Sequence, residues 1–182
     1  MRHFLSTTRT EPRTGAASPP GDETLVAALF DRRPVRRVVT GLVAGAIATV
    51  VMSCFRVPLS RAPPPPARLW ALYVAGEGAP EDYPIEGFAL HLVYGVLAGG
   101  AFGALAPAIE AESDYERERR GSLLGLCYGL LLSAFGSVVL MDRLLHLDLD
   151  DDEAFVFHLG HVVYGLTLGT WFGSNTPRGS RT

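Results

Sequence analysis

Two histidine–tyrosine pairs are the residues of this sequence best suited to chemistry. His91 and Tyr94 lie three positions apart, and His161 and Tyr164 repeat that spacing. In a helix, this spacing places each pair on one face. His158 lies one turn before His161 and adds a third imidazole on roughly the same side. Imidazoles that face each other can bind a metal ion, ligate haem or transfer protons, so these five side chains form the candidate polar site.

Each pair belongs to a longer motif that occurs twice. His91 to Gly103 and His161 to Gly173 both fit the pattern H-x-x-Y-G-x-x-x-G-x-x-F-G, with apolar residues at nearly every other position. No loop-forming sequence interrupts either copy. We predict that both copies are membrane-spanning helices.

A structural role for the histidines is the main alternative to chemistry. An imidazole can hydrogen-bond a tyrosine hydroxyl on the facing helix, which stabilises membrane packing by about 1 kcal/mol. Ionisable groups inside membrane helices are, however, commonly functional. We expect the structural role and no cofactor, with metal, haem or proton handling as alternatives. Haem is the least favoured alternative, because close helix packing removes the space that a porphyrin needs.

The distribution of charge points to a membrane protein. Apolar residues make up 48% of the 182 positions, and charge is concentrated in the first 37 residues and in short connecting runs. All 16 basic residues are arginine, and the net charge is -3. A nucleic-acid-binding domain should carry a clustered basic face, so we expect the lipid bilayer and no nucleic acid as a partner.

Four apolar blocks predict the fold class, an all-α polytopic membrane protein with a four-transmembrane-helix bundle. The predicted spans are about 38–55, 87–109, 121–141 and 154–173, close to the length that crosses a bilayer core of about 30 Å. Residues 1–37 are polar and predict a disordered cytoplasmic tail. Residues 174–182 predict a second cytoplasmic tail.

Arginine counts predict the orientation in the membrane. The two tails and the connection at 110–120 contain 12 of the 16 arginines, and the other two connections contain four. Under the positive-inside rule, both termini are therefore cytoplasmic. Arg56, Arg61 and Arg68 would then lie on the outer side.

Two of the connections carry further local signals. Pro58 and the run from Pro63 to Pro66 should end the first helix. Residues 68–75, with Trp70 and Tyr73, predict a short interfacial helix.

The acidic run at 148–153 lacks the glycine and the distal glutamate of a calcium loop. We predict a solvated turn there, in which Asp151 or Asp152 caps the fourth helix.

The sequence repeat extends beyond the histidine motif. Four residues of the first block, Gly41, Gly45, Ser53 and Phe55, match Gly121, Gly125, Ser133 and Phe135 of the third block at one constant offset. The two motif copies match at another offset. These matches predict a duplicated helical hairpin whose copies insert in the same direction, as parallel repeats.

Glycine recurs every four residues in all four blocks. Small residues at this spacing let backbones approach closely, which favours helix association in lipid. We predict a tight bundle, in which some glycine faces are left to contact another subunit. The packing glycines are Gly41, Gly45, Gly95, Gly99, Gly103, Gly121, Gly125, Gly129, Gly165, Gly169 and Gly173.

The chain contains no common catalytic motif. Cys54 and Cys127 lie within apolar blocks and are predicted to be packing residues. The sequence therefore predicts a non-enzymatic integral membrane protein, a packing or assembly subunit that pairs with itself or with other membrane subunits. The alternatives are a metal-, haem- or proton-handling protein that uses the histidines and, more weakly, a small transporter subunit.

With these features, the chain resembles the small four-helix membrane proteins of unknown function in prokaryotes, and is distantly similar to the YagU-like inner-membrane group. The segment from Gly41 to Met52 and the two H-x-x-Y-G motifs carry this resemblance, which covers about Val38 to Gly173. It implies a location in the cytoplasmic membrane and assigns no catalytic residues.

Overall fold

The computed structural model describes residues 32–60, 64–106, 109 and 111–176. Every regular element in these ranges is helical, which confirms the all-α prediction for this part of the chain. The helices are α1 (Arg32–Arg56), α2 (Pro65–Trp70), α3 (Pro84–Leu105), α4 (Asp114–Phe135) and α5 (Asp151–Asn175). Wider π-helical turns extend α2 over Ala71–Ala75 and α4 over Gly136–Leu145, and a 3-10 turn covers Pro80–Asp82.

Three stretches of the described chain are long and apolar enough to cross a membrane. They are Pro34–Arg56, Pro84–Leu105 and Asp114–Leu145, which contain most of the first three predicted spans. Helix α5 is 25 residues long but does not belong to this group. Its three acidic residues in the first turn and its two histidines lower its hydropathy. The structure thus shows a helical membrane protein with three candidate membrane helices, where the sequence predicted four.

The observed helices differ in length from the predicted blocks. Helix α1 begins at Arg32, so the last part of the predicted polar tail is helical. Helix α4 begins at Asp114 because Ser113 caps it, accepting a hydrogen bond from the backbone N–H of Glu116 at 3.1 Å. Helix α3, by contrast, ends at Leu105, four residues before the predicted boundary. Residues 1–31 and 177–182, which make up most of the predicted tails, lie outside the described residues.

The cap of α5 differs from the predicted one. The Asp150 side chain accepts a hydrogen bond from the backbone N–H of Glu153 at 2.8 Å, whereas Asp151 and Asp152 lie in the first helical turn. An N-cap residue needs an extended backbone, and Asp150 has one, with φ −66° and ψ 166°. The prediction of Asp151 or Asp152 as the cap was therefore wrong by one or two residues.

Helix α2 lies where the sequence predicted an interfacial helix, but it begins three residues earlier, at Pro65. A proline in the first turn lacks only an N–H that would have no helical partner. Ala67 packs so closely against α3 that a Cβ at Gly87 would lie 2.6 Å from the Cβ of Ala67. The hydroxyl of Tyr73 donates a hydrogen bond to the carbonyl of Leu144 at 3.1 Å. The connection between α1 and α3 is thereby attached to both α3 and the end of α4.

Glycine contacts join α1 to α3 and α4 to α5, forming two antiparallel hairpins. A Cβ at Gly41 would collide with the carbonyl oxygen of Gly99, and a Cβ at Gly45 would lie 2.5 Å from the carbonyl oxygen of Gly95. All the predicted packing glycines are buried. Each one faces its partner helix in the same hairpin, so the glycine stripes are occupied within the chain and are not left for another subunit.

Residues that match in the sequence repeat make matching contacts in the second hairpin. Gly121 meets the carbonyl of Gly169, and Gly125 meets the carbonyl of Gly165, as Gly41 and Gly45 do in the first hairpin. Farther along, Gly103 meets the carbonyl of Arg37, and Gly173 meets the carbonyl of Arg117. Backbone approach therefore follows the same register in both hairpins.

Side chains form the contact between the two hairpins. Phe102 of α3 lies 5.2 Å, centroid to centroid, from both Tyr128 of α4 and Phe172 of α5. The hydroxyl of Tyr128 also donates a 2.8 Å hydrogen bond to the carbonyl of Ala98. The core cluster contains Ala44, Ala48, Met52, Phe102, Ala106, Tyr164, Leu168 and Phe172. This core sets how the hairpins rotate against each other, and so which side chains meet between them.

Candidate functional site

The two histidine–tyrosine pairs meet at one place in the bundle. His91 and Tyr94 from α3, and His161 and Tyr164 from α5, line the same small cavity of about 20 Å³. The i, i+3 spacing places each pair on one helix face, and the packing of the hairpins turns the two faces toward each other. The grouping of these four side chains agrees with the sequence analysis.

Tyr164 and His161 use backbone carbonyls as partners, where the sequence analysis expected an imidazole–tyrosine bond. The hydroxyl of Tyr164 donates to the carbonyl of Gly95 at 2.7 Å. The Nδ1 atom of His161 lies 3.0 Å from the carbonyl oxygen of Phe157. Because a carbonyl can only accept, this contact requires a proton on Nδ1, and in that tautomer of the uncharged ring Nε2 keeps its lone pair.

His158 does not join the other two histidines. Its side chain is exposed, and its Nδ1 atom lies 2.7 Å from the hydroxyl oxygen of Ser133 on α4. The three-residue step from His158 to His161 stops about 60° short of a full turn, so these two side chains point in different directions. The four-residue step from Phe157 to His161 passes a full turn by only about 40°. Phe157 therefore lies beside His161 in the interior, with ring centroids 4.4 Å apart.

Arg56, which the sequence analysis placed on the outer side of the membrane and did not include among the candidate site residues, is part of the site. Its side chain is only 9% exposed and lines a cavity together with His91 and His161. Its guanidinium carbon lies 5.9 Å from the centroid of the Phe157 ring, a cation–π contact. The Nε atom is buried and has no hydrogen-bond partner within the described residues.

The sequence repeat contains a signal that identifies Arg56. The offset that aligns the first block with the third pairs Arg56 with Gly136, and the offset of the two motifs pairs Gly87 with Phe157. The Phe157 ring covers Gly136, where a Cβ would lie 2.8 Å from the ring. The halves therefore diverge where the cavity forms, and a search for mismatches within the repeat would have found Arg56.

One of the two larger spaces beside Arg56, which we name the Arg56 cavity, has a volume of about 150 Å³. Its polar wall consists of Arg56, His91, Tyr94 and His161. The rest of the wall is mostly apolar and comes from α2, α3, α5 and the π-helical end of α4. A second cavity of about 250 Å³ is also lined by Arg56 and His91.

Glu153 supplies the opposite charge from outside the Arg56 cavity. It is 9% exposed, interacts electrostatically with Arg56 and accepts a 2.8 Å hydrogen bond from the hydroxyl of Ser60. Arg56 also lies close enough to His91 and His161 to interact electrostatically with both. A fixed positive charge beside two imidazoles opposes the binding of a metal cation between them. Within the described residues, no three His, Cys, Asp or Glu side chains are grouped to hold a metal ion.

The two cysteines lie away from the site. Cys54 and Cys127 are free thiols with exposed side chains, so their prediction as packing residues was wrong. Each is on the outward face of its helix, two residues from buried positions, and apolar character alone does not distinguish a core face from a lipid-facing one.

The fold and the site define a helical membrane protein that has a partly polar cavity between two glycine-packed hairpins. No family model, curated protein sequence or solved structure matches this chain significantly. The likeness to YagU-like proteins is therefore a proposal based on the sequence motifs alone.

Proposed function

We propose that this chain is a non-enzymatic integral membrane protein of four crossings, built from a duplicated hairpin and serving as a rigid packing or assembly subunit. The carrying observation is the pair of matching glycine contacts, Gly41 with Gly99 and Gly121 with Gly169. Such backbone approach is the usual source of helix association in lipid, where the hydrophobic effect between helices is weak.

Helix α5 has the length and the neighbour that a fourth crossing requires. At about 1.5 Å per residue, its 25 residues extend about 37 Å, more than the bilayer core of about 30 Å. It packs along α4, from the contact of Gly173 with Arg117 to the contact of Gly129 with His161. Because α4 is itself a candidate membrane helix, a helix packed along its length lies at the same depth.

The outward surface supports both the membrane location and the assembly role. Large apolar side chains project from the described helices, among them Val43, Leu97, Leu123, Leu131 and Leu166, each at least 40% exposed. A surface of this kind is suited to lipid or to another membrane subunit. The arginine distribution favours a cytoplasmic location for both termini, and the resemblance favours the cytoplasmic membrane of a prokaryote.

The alternative functions have less support. The charge of Arg56 disfavours a metal ion between His91 and His161, and the Arg56 cavity of about 150 Å³ is too small for a porphyrin. A transporter would need a path across the bilayer, and the two larger cavities both adjoin Arg56, at the C-terminal end of α1. We therefore favour a subunit without catalytic or redox chemistry.

Reporter fusions test the four-crossing topology. A reporter that is active only outside the cytoplasm is fused after residue 78, 110, 148 or 180. Each fusion is a separate chain that is truncated at that residue. We expect activity at 78 and 148 and none at 110 and 180, with a cytoplasmic fluorescent reporter giving the opposite pattern. Activity at 180 together with 148 would show that α5 does not cross, and would overturn the proposal.

A further inference from the structure

We propose that the Arg56 cavity binds an acidic amphiphile, a molecule with a single carboxylate or phosphate head and an apolar chain. This inference rests on the membrane placement proposed above, because the apolar part of such a ligand is supplied from the bilayer. The ligand head would lie against Arg56, and its chain against the apolar wall.

The first support is a buried donor that the chain itself does not satisfy. The guanidinium of Arg56 is always charged, and its Nε atom is buried without a hydrogen-bond partner in the described part of the chain. A buried donor without a partner destabilises the folded state. The Nε atom is closed off from the cavity in this structure, so a carboxylate or phosphate oxygen would form a charge-assisted hydrogen bond with it after a small shift of the side chain.

The second support is the placement of the charges. Glu153 interacts with Arg56, but Ser60 donates a hydrogen bond to it, and it does not belong to the wall of the Arg56 cavity. Arg56 is the charged side chain among the residues that line the cavity. The cavity therefore presents a positive charge, while the nearby carboxylate lies outside its wall, and this arrangement favours an anion over a cation.

The third support is the set of neutral polar groups beside Arg56. The Nδ1 proton of His161 is used by the carbonyl of Phe157, which leaves Nε2 as an acceptor. The hydroxyl of Tyr94 can donate or accept. The cation matches the charged oxygen of a carboxylate or phosphate head, and the acceptor and the hydroxyl match the additional protonated oxygen of a phosphate monoester.

The fourth support is the apolar wall, which suits a hydrocarbon chain. Leu69 of α2, Leu90 of α3, Leu140 of the π-helical end of α4 and Phe157 of α5 line the cavity, so four elements contribute to one apolar surface. A small site that combines an apolar surface with a few polar groups is typical of ligand pockets. The volume of about 150 Å³ accommodates a head group and the start of a chain, and the remainder would extend into lipid.

A structural role for Arg56 is the competing explanation. Arg56 would then only join α1 to α5, through the Phe157 ring and the charge of Glu153. That explanation predicts that changes at Arg56 or Glu153 alter stability and leave the response to added amphiphiles unchanged.

The test uses the full chain, purified in a neutral maltoside detergent and titrated with laurate, lauryl phosphate and methyl laurate. Binding is followed by tryptophan fluorescence and by the shift in Tm. We expect both acids to bind saturably and to raise Tm, whereas the uncharged ester does not. A second set in nanodiscs compares phosphatidate with phosphatidylcholine, which distinguishes a phospholipid head from a free fatty acid. Equal responses to laurate and methyl laurate would overturn the proposal.

Variants then assign the effect to Arg56. Arg56→Gln should weaken laurate binding by at least about tenfold, the scale expected for a charge-assisted bond. Arg143→Gln, an exposed arginine in the π-helical end of α4, is the matched control and should bind like the parent chain. Unchanged binding by Arg56→Gln would contradict the proposal.

Glu153→Gln keeps the proposal testable if Arg56→Gln does not fold. Removing the competing carboxylate should tighten laurate binding by about threefold or more, because Arg56 loses its counter-charge. A loss of stability without tighter binding would support the structural explanation instead. Carbonate extraction of membranes is measured separately, since a chain released by carbonate would refute the membrane placement whatever the titrations show.

Discussion

The hydroxyl of Tyr164 donates a 2.7 Å hydrogen bond to the backbone carbonyl of Gly95, and both groups are buried. Tyr164 belongs to the second copy of the H-x-x-Y-G motif and Gly95 to the first, so one motif copy binds the other across the hairpins. The missing side chain of Gly95 leaves room for Thr49 of α1, whose Oγ1 atom would collide with a Cβ there. One glycine therefore serves a contact within its hairpin and a contact between hairpins.

Tyr164→Phe should lower the free energy of unfolding by about 1 kcal/mol, because a buried interhelical hydrogen bond is lost while the ring is kept. Tyr115→Phe is the control, since Tyr115 is 75% exposed and should tolerate the change. Unfolding in mixed detergent micelles, followed by fluorescence, gives both values. Equal stability of the two variants would show that the Tyr164 bond contributes nothing.

Gly125→Leu should disrupt the second hairpin, because any Cβ at position 125 collides with the backbone carbonyl of Gly165. Overpacking costs typically about 1–3 kcal/mol, and more where the obstructing group is backbone. Ala134→Leu, on an exposed position of the same helix, provides the control. Size-exclusion chromatography of fluorescent fusions measures the folded fraction. If Gly125→Leu elutes like Ala134→Leu, the close approach of α4 and α5 is wrong.

Asp150→Ala should destabilise the protein by about 1 kcal/mol, because the backbone N–H of Glu153 loses its cap. Asp151→Ala, one residue later, removes only a favourable charge near the helix start and should cost less, about 0.3–1 kcal/mol. The Tm values of the two variants give the comparison. A larger loss for Asp151→Ala would restore the cap that the sequence analysis proposed.

Added Zn²⁺ or Co²⁺ should not bind between His91 and His161, because Arg56 places a positive charge beside both rings. The purified protein should contain no stoichiometric transition metal by elemental analysis. Its Tm should not rise when these ions are added at micromolar concentration. Stoichiometric metal that disappears in His91→Ala and His161→Ala chains would instead favour the metal-handling hypothesis.

Both the matches and the mismatches between the repeated segments carry structural information. The matches between copies predicted where glycine allows backbones to approach, and those positions make equivalent contacts in both hairpins. The mismatches are equally informative, since Arg56 aligns with Gly136 and Gly87 with Phe157. Where two segments of a sequence match, a charged residue that aligns with a glycine is a natural candidate for function.

The sequence by itself determined the all-helical class, the glycine stripes and the face shared by each histidine–tyrosine pair. These features depend on apolar content and on periods of three and four residues, which a helix converts directly into geometry. The tertiary structure decided that Arg56 is buried beside His91 and that His158 instead contacts Ser133. Those contacts depend on how far each helix is rotated about its axis, and side chains distant in sequence, such as Phe102 and Phe172, set that rotation when the hairpins pack.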